Sequence, residues 1–236
     1  EFAELFEDRQ LSNDCKAAEK KLVKAASKVY KKFLASCPAP DAPGSKQVAA
    51  LMTITGLIDA PKADKEFLSI NGAQGFSTFY GYYMLEAMAT AGNYQGALDV
   101  IREYWGAMID LGATSFWEDF DINWIPNATP IDELVPEGKK DIHGDCGAYC
   151  YVGFRHSLCH GWASGPTSWL SRHILGVEVI EPGCRQVRIT PHLGDLQWVK
   201  GTFPTPYGEI QIYHEKKANG NVISEVKAPK GVSVIK

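Results

Sequence analysis

A stretch near the middle of the chain combines acidic and aromatic residues at a spacing that suits carbohydrate chemistry. Three carboxylates, Glu118, Asp119 and Asp121, lie among the aromatic rings between Phe116 and Trp124. Glycosidic bonds are cleaved by paired carboxylic groups, and burial against tryptophan raises a carboxyl pKa into the range that acid catalysis needs. The structural alternative is that these acids cap helices or pair with cations, beside rings of the ordinary core.

A second stretch, residues 143–162, concentrates three histidines and three cysteines. They are His143, Cys146, Cys150, His156, Cys159 and His160. Zinc is one interpretation, but the stretch contains no Cys-x-x-Cys pair, so this signal is weak. His160, directly before Gly161 and Trp162, also suits a polar position in a sugar pocket, whereas His143 and His156 are interpreted as core histidines.

Composition excludes several classes of protein. The 236 residues carry 24 basic and 28 acidic side chains, a net charge of −4 that argues against a nucleic-acid partner. The sequence contains no run of about 18 apolar residues, so no membrane helix is predicted. Serine-hydrolase, phosphate-loop and zinc-protease motifs are absent, so we expect no cofactor and no metal. The six cysteines are predicted to be free and mostly buried, because a chain of this length needs no disulfides.

The elements that must position these residues read as helices first and strands afterwards. Helices are predicted at residues 12–33, 46–57, 78–91, 94–109 and 166–175; the first is amphipathic and peripheral, the second buried and ended by Pro61. Strands are predicted at residues 177–180, 187–189, 198–203, 209–214, 222–226 and 232–235, separated by Pro-Gly, Pro-Tyr-Gly and Asn-Gly-Asn turns. Short connections between helices indicate antiparallel neighbours, as in a bundle or an α/α toroid.

Three motifs in the helical part resemble bacterial α-L-rhamnosidases of glycoside hydrolase family 78. They are Gly-Ala-Thr-Ser-Phe-Trp-Glu at 112–118, Ser-Leu-Cys-His-Gly-Trp-Ala at 157–163 and Trp-Leu-Ser-Arg-His-Ile-Leu-Gly at 169–176. Segments 181–183, 188–191 and 201–208 resemble the C-terminal β domain of that family. The resemblance implies an α+β multidomain fold, in which residues 1–176 are part of an (α/α)6 toroid and residues 177–236 form a small antiparallel β-sandwich.

The resemblance also implies an activity and assigns roles to site residues. Family members remove terminal α-L-rhamnose with inversion of configuration, using one acidic and one basic carboxyl group about 6.5–9.5 Å apart. Glu118 matches the general base, and His160 matches a histidine that lines the rhamnose pocket. Phe116, Trp117 and Trp162 would form apolar walls around the sugar.

Two departures and one omission qualify this resemblance. Asp119 stands where the family often has arginine, and Cys159 where asparagine is common. The family's general acid and its Asp-rich motif lie upstream of the first helix. We therefore expect the chain, which begins at Glu1, to be the C-terminal part of a longer enzyme and to be inactive alone. Its expected partners are a rhamnose-containing carbohydrate, the upstream part of the enzyme and, through uncovered helix faces, other copies of itself.

Two alternatives follow from the same residues. One is an inverting glycosidase on an α/α toroid that acts on a different sugar. The other is a carbohydrate-binding module without catalysis, which would use Trp117, Trp124 and Trp162.

Overall fold

The computed structural model describes residues 2–36, 44–145 and 156–235, and its fold is α+β. The helices are α1 (Phe2–Leu5), α2 (Arg9–Ser36), α3 (Ser45–Ile54), α4 (Ala60–Ala63), α5 (Gly81–Thr90), α6 (Tyr94–Asp110), α7 (Ile142–Asp145) and α8 (Gly165–Trp169). The π-helical segments Asp64–Leu68 and Leu170–Ile174 extend α4 and α8. Within the described ranges, no helix has both the length and the hydrophobicity needed to cross a membrane.

The core of the helical part forms between α3, α5 and α6, because these helices carry apolar residues at helical spacing. Asn93 begins α6 by accepting a hydrogen bond from the Gly96 backbone N–H at 2.9 Å. The side chains of Tyr104, Trp105 and Met108 then point into the core. The predicted helix at 94–109 is thereby confirmed, and its C-terminal end leads directly into the stretch that contains the candidate acids.

The segment after α3 corrects two predictions. Helix α3 ends at Ile54, and Pro61 lies in the first turn of α4, where a proline costs no hydrogen bond. Asp59 begins α4 by accepting from the Lys62 N–H at 3.0 Å. Helix α3 is also not buried all round: Leu51 and Ile54 are exposed, because only its opposite face packs against α5.

The predicted peripheral helix is confirmed as α2. None of the side chains described between residues 9 and 29 is buried. Leu22 is 69% and Val29 66% exposed, so the apolar side of α2 is uncovered in this chain.

The strands follow Gly176 in two three-stranded sheets. They are β1 (Val177–Val179), β2 (Gln186–Ile189), β3 (Trp198–Thr205), β4 (Gly208–Lys216), β5 (Val222–Lys227) and β6 (Ser233–Ile235), in the orders β1-β2-β6 and β3-β4-β5. All six predicted strands are present, but β6 pairs with β2 in parallel, which corrects the expectation of a wholly antiparallel unit. The chain returns to β2 only after completing the other sheet, and such a long connection permits parallel pairing.

The segment before β3 is joined to α6 by a ring contact and an ion pair. The ring of His192, before β3, stacks on Tyr94 at the start of α6 with 3.7 Å between centroids. Arg102 on α6 donates two hydrogen bonds to Asp195, at 2.9 and 2.7 Å. Because the ion pair is exposed to solvent, it adds little stability, and its main effect is to orient the two parts.

A small second core lies between the sheets and contains a buried histidine. Ile210, Ile212 and His214 alternate along β4 and all point inward. The ring of His214 lies 3.1 Å from the Leu175 carbonyl and 2.7 Å from the Ser224 hydroxyl. Burial is the main cause that lowers the pKa of His214 below its ordinary value of 6.5.

This histidine predicts loss of stability in acid. Because His214 takes up a proton in the unfolded chain more readily than in the folded one, its stabilising contribution is present above pH 6.5 and is lost as the pH falls below that value. We expect the free energy of unfolding to drop between pH 7 and pH 5. Urea denaturation at both pH values should show a smaller drop in H214Q. The pKa of His192 is also lowered, so the H192Q variant measures how much of the drop comes from His192. An equal drop in the unaltered chain, H214Q and H192Q would contradict the assignment of the acid sensitivity to His214.

Candidate functional site

The two sequence motifs with candidate residues lie side by side. The backbone N–H of Glu118 donates to the Ser157 carbonyl at 2.8 Å, and the N–H of His160 donates to the Phe116 carbonyl at 2.7 Å. The segments 116–118 and 157–160 therefore run in opposite directions as a short paired unit. This pairing brings residues that are about 40 positions apart in the sequence into one site.

Glu118 is held from three directions. Its side chain is buried, with the residue 7% exposed, and its Oε2 atom accepts a hydrogen bond from the Ser157 N–H at 2.8 Å. Its backbone carbonyl accepts from the Thr78 hydroxyl at 2.6 Å and from the Trp162 indole N–H at 2.7 Å. One bond thus orients the carboxylate and two fix the backbone that carries it, which is the kind of support that a catalytic group requires.

The aromatic rings of the site divide into an exposed set and a buried set. Trp162 is 48% exposed and packs against the His160 ring, with 4.2 Å between centroids. Trp117 is fully buried and stacks on His143 at 4.0 Å. Trp162 offers a face to a ligand, whereas in this chain Trp117 belongs to the core beneath the site.

Phe116 and His160 are both half-buried. Phe116 lines a separate cavity of about 220 Å³ together with Trp105 and Met108. The His160 ring contacts Trp162 and lies on the same paired unit as Glu118.

Asp119 is a second buried carboxyl group beside Glu118. It is 7% exposed, and its Oδ2 atom has no hydrogen-bond partner among the described residues. Burial is the main cause that raises the pKa of Asp119. A hydrogen bond from the Phe120 N–H lowers this pKa, but the negative charges of Asp121 and Glu118 raise it further. A proton is therefore held more tightly here than on an ordinary aspartate.

The structure bears on the zinc hypothesis only in part. Cys146 and Cys150 lie outside the described residues, and among the remainder no group of three potential ligands is close enough to hold a metal ion. The three cysteines that are described are free thiols, but Cys15 and Cys159 are exposed and Cys184 is half-buried. The prediction of mostly buried thiols is wrong for Cys15 and Cys159, whereas Cys184 packs against the edge of the second core.

Comparison with known proteins finds similarities in both parts of the chain. Residues 176–235 match the family of bacterial α-L-rhamnosidase C-terminal domains. The fold matches the family 78 rhamnosidase of Bacillus sp. GL1 with a TM-score of 0.61 and 26% sequence identity, over 80% of this chain and 18% of that chain. Over these regions the chain is similar to the α-L-rhamnosidases of glycoside hydrolase family 78.

Two further rhamnosidase structures share the fold. The α-L-rhamnosidase of Aspergillus terreus matches with a TM-score of 0.61 and 20% identity, over 80% of this chain and 21% of that chain. The Streptomyces avermitilis enzyme, crystallised with L-rhamnose, matches with a TM-score of 0.59 and 18% identity, over 80% of this chain and 17% of that chain. The chain thus spans about a fifth of the length of these relatives. No curated protein matches the sequence at a significant level.

Sequence reasoning missed the residues that hold Glu118 in place in this chain. The sequence pattern indicates only a helix start at Thr78, although its hydroxyl donates to the Glu118 carbonyl. Ser157 belongs to a sequence motif, but the motif does not predict that its backbone N–H binds the carboxylate. A backbone donor leaves no trace in residue type, so only the pairing of the two segments reveals it.

Proposed function

We propose that the protein carrying this chain is an inverting glycoside hydrolase that removes terminal α-L-rhamnose, with Glu118 as its general base. The observation that carries the proposal is the position of Glu118: a buried carboxylate, oriented by the Ser157 N–H, beside the exposed ring of Trp162. The similarity to α-L-rhamnosidases supports rhamnose as the sugar that is removed.

The reaction needs two carboxyl groups with opposite roles. In our proposal Glu118 takes a proton from a water molecule while the water oxygen attacks the anomeric carbon of rhamnose. The bond from that carbon to the leaving oxygen breaks, and the leaving oxygen takes a proton from a carboxylic acid on the other side of the sugar. Because the attack and the departure occur on opposite faces, the released rhamnose has the inverted configuration.

The remaining predicted residues bind and enclose the sugar in this proposal. His160 provides a polar ring nitrogen for a sugar hydroxyl, and Trp162 provides an apolar wall. Phe116 and Trp117 support these groups from below, since Trp117 is fully buried. Exclusion of water around Glu118 strengthens its electrostatic interactions with the developing positive charge at the anomeric carbon.

The general acid is proposed to come from an upstream part of the same enzyme. This view is supported by the coverage, because the chain spans only 18% of the Bacillus rhamnosidase that it matches. In the whole enzyme, residues 1–176 would complete the toroid with upstream helices, and residues 177–236 would form the C-terminal β domain. Upstream helices would cover exposed apolar side chains such as Leu22 and Val29, and separate copies of the chain would associate through the same faces.

Hydrolysis of a nitrophenyl α-L-rhamnoside tests the proposal. We expect no release of nitrophenol by this chain alone. The missing general acid lowers the rate by about 10²–10⁴, and the missing upstream part also leaves the sugar pocket incomplete. A longer protein that includes the upstream acid should hydrolyse the substrate, and NMR should detect β-L-rhamnose as the first product. Release of nitrophenol by the chain alone, or α-L-rhamnose as first product, would contradict the proposal.

A panel of other aryl glycosides separates the alternatives. Activity on a different sugar alone would favour another toroid glycosidase. Saturable sugar binding by a longer protein that cleaves none of the panel would favour a carbohydrate-binding module, which the half-exposed ring of Trp162 also fits.

A further inference from the structure

A groove of about 840 Å³ lies where the helical part meets the first sheet and β3. Its walls include Phe79, Tyr83 and Trp162 on one side, and Thr167, Arg172 and Glu178 on the other. The volume is within the range of about 300–1,000 Å³ that is typical of small-molecule sites. The sequence motifs predict Trp162 as a sugar contact but not the groove, because the lining also comes from α5, α8, β1 and β3.

One wall of the groove is a continuous set of aromatic rings. The Phe79 ring lies 5.8 Å from the Tyr83 ring and 5.8 Å from the Trp162 ring, measured between centroids. Phe79 is 41% exposed, so the set is accessible. Accessible aromatic rings that combine apolar faces with polar edges suit ligands that also have apolar and polar faces, as sugars do.

The opposite wall is polar but nearly neutral. Thr167 is exposed on α8, next to further serine hydroxyls in the same wall. Arg172 pairs with Glu86 at 3.5 Å, and Glu178 pairs with Arg188 at 2.7 Å, so each charge at the groove is balanced by a partner. A guanidinium has five N–H donors, which is more than one ion pair uses. Hydroxyls, donors and balanced charge together favour an uncharged ligand rich in hydroxyl groups.

Trp162 connects this groove to the candidate active site. Its ring lines the groove, while its indole N–H donates to the Glu118 carbonyl at 2.7 Å. The ring is therefore fixed relative to the backbone of Glu118, so a ligand that contacts this ring in the groove would lie on the side of the groove that adjoins the candidate site.

We propose that this groove is a second saccharide-binding site, which holds uncharged sugar units of the substrate beyond the rhamnose that is cleaved. The proposal rests on the proposed function for the identity of the substrate. It implies that the natural substrate is an oligosaccharide or polysaccharide, because a small aryl aglycone would leave the groove empty. An upstream segment of the enzyme is the competing occupant, and the test below separates the two.

Binding to the chain itself is the first measurement. Tryptophan fluorescence is followed during titration with rutinose, a rhamnosyl-glucose disaccharide, and with maltotetraose as a neutral oligosaccharide without rhamnose. We expect saturable binding of at least one probe, weakened about tenfold or more by Y83A and by R172A, which each remove one good contact. T167W, which fills the groove from an exposed position, should abolish binding without affecting the fold.

Two control variants make this measurement specific. Tyr207 is 42% exposed on the turn between β3 and β4, outside the groove, so Y207A should bind as the unaltered chain does. E118Q should also bind normally, because the groove does not use the carboxylate. Absence of saturable binding by both probes, or equal binding by T167W, would overturn the proposal.

The second measurement uses the longer enzyme. The groove variants should raise KM for a rhamnosyl oligosaccharide about tenfold and leave kcat/KM for nitrophenyl rhamnoside unchanged. If KM does not change although the chain alone binds saccharide, an upstream segment occupies the groove and the proposal is wrong. If the groove binds saccharide but the longer protein cleaves no rhamnoside, the proposed function fails while the groove assignment stands.

Discussion

Replacement of Glu118 by glutamine is expected to lower kcat for rhamnoside hydrolysis by the longer enzyme by about 10²–10⁴. Glutamine has nearly the same shape, and its amide oxygen can still accept the hydrogen bond that the Ser157 N–H donates at 2.8 Å in the native chain. It cannot take a proton from water, so only the chemical step should fail. Initial rates of nitrophenol release measure the effect, and thermal unfolding shows whether the fold is intact.

Chemical rescue makes this prediction specific to a base. Azide is already an anion and attacks the anomeric carbon without giving up a proton, so it should restore turnover of E118Q and form β-L-rhamnosyl azide. Glu133 lies on an exposed segment, and E133Q serves as the control with unchanged kcat. Ordinary turnover by E118Q would refute the assignment of the base. A slow variant that azide does not rescue would indicate a structural role for Glu118.

Gly176→Ala is expected to destabilise the chain by about 3 kcal/mol. Gly176 has φ +74°, and a Cβ atom there would lie 2.3 Å from the backbone carbon and oxygen of Thr190. Backbone atoms of Thr190 cannot move aside as a flexible side chain could, because Thr190 also donates its N–H to the Gly176 carbonyl at 2.9 Å. The clash therefore separates the last helical segment from the first sheet. Urea denaturation monitored by fluorescence measures the loss.

Gly183→Ala is the matched control. Gly183 has the same φ of +74°, but a Cβ atom there would meet no described atom within 4 Å. The loss of stability should therefore be only about 1 kcal/mol, which is the cost of placing alanine in the left-handed conformation. Equal losses in the two variants would show that backbone conformation alone, and not the contact with Thr190, makes Gly176 necessary.

Local sequence patterns determined most of the secondary structure of this chain. The alternation of Ile210 and Ile212 with polar residues predicted β4, and the cap residue Asn93 with its apolar spacing fits α6. Both signals act over a few residues, so they can be read without knowledge of the fold. The failures at Pro61 and Leu51 have the same origin, since a proline can end one helix or begin the next, and an apolar residue is buried only if another element covers it.

The sequence by itself therefore determined the element types, the carboxylate–aromatic composition of the site and, through its motifs, the family relationship. Tertiary structure decided how the candidate residues are supported and which of them are accessible. The Ser157 N–H reaches Glu118 only because two distant segments pair, and Trp162 is exposed while Trp117 is buried. The parallel pairing of β6 with β2 and the groove beside Trp162 arise in the same way. Each depends on contacts between residues far apart in the chain, and such contacts follow from the packing of whole elements and leave no local periodicity to read.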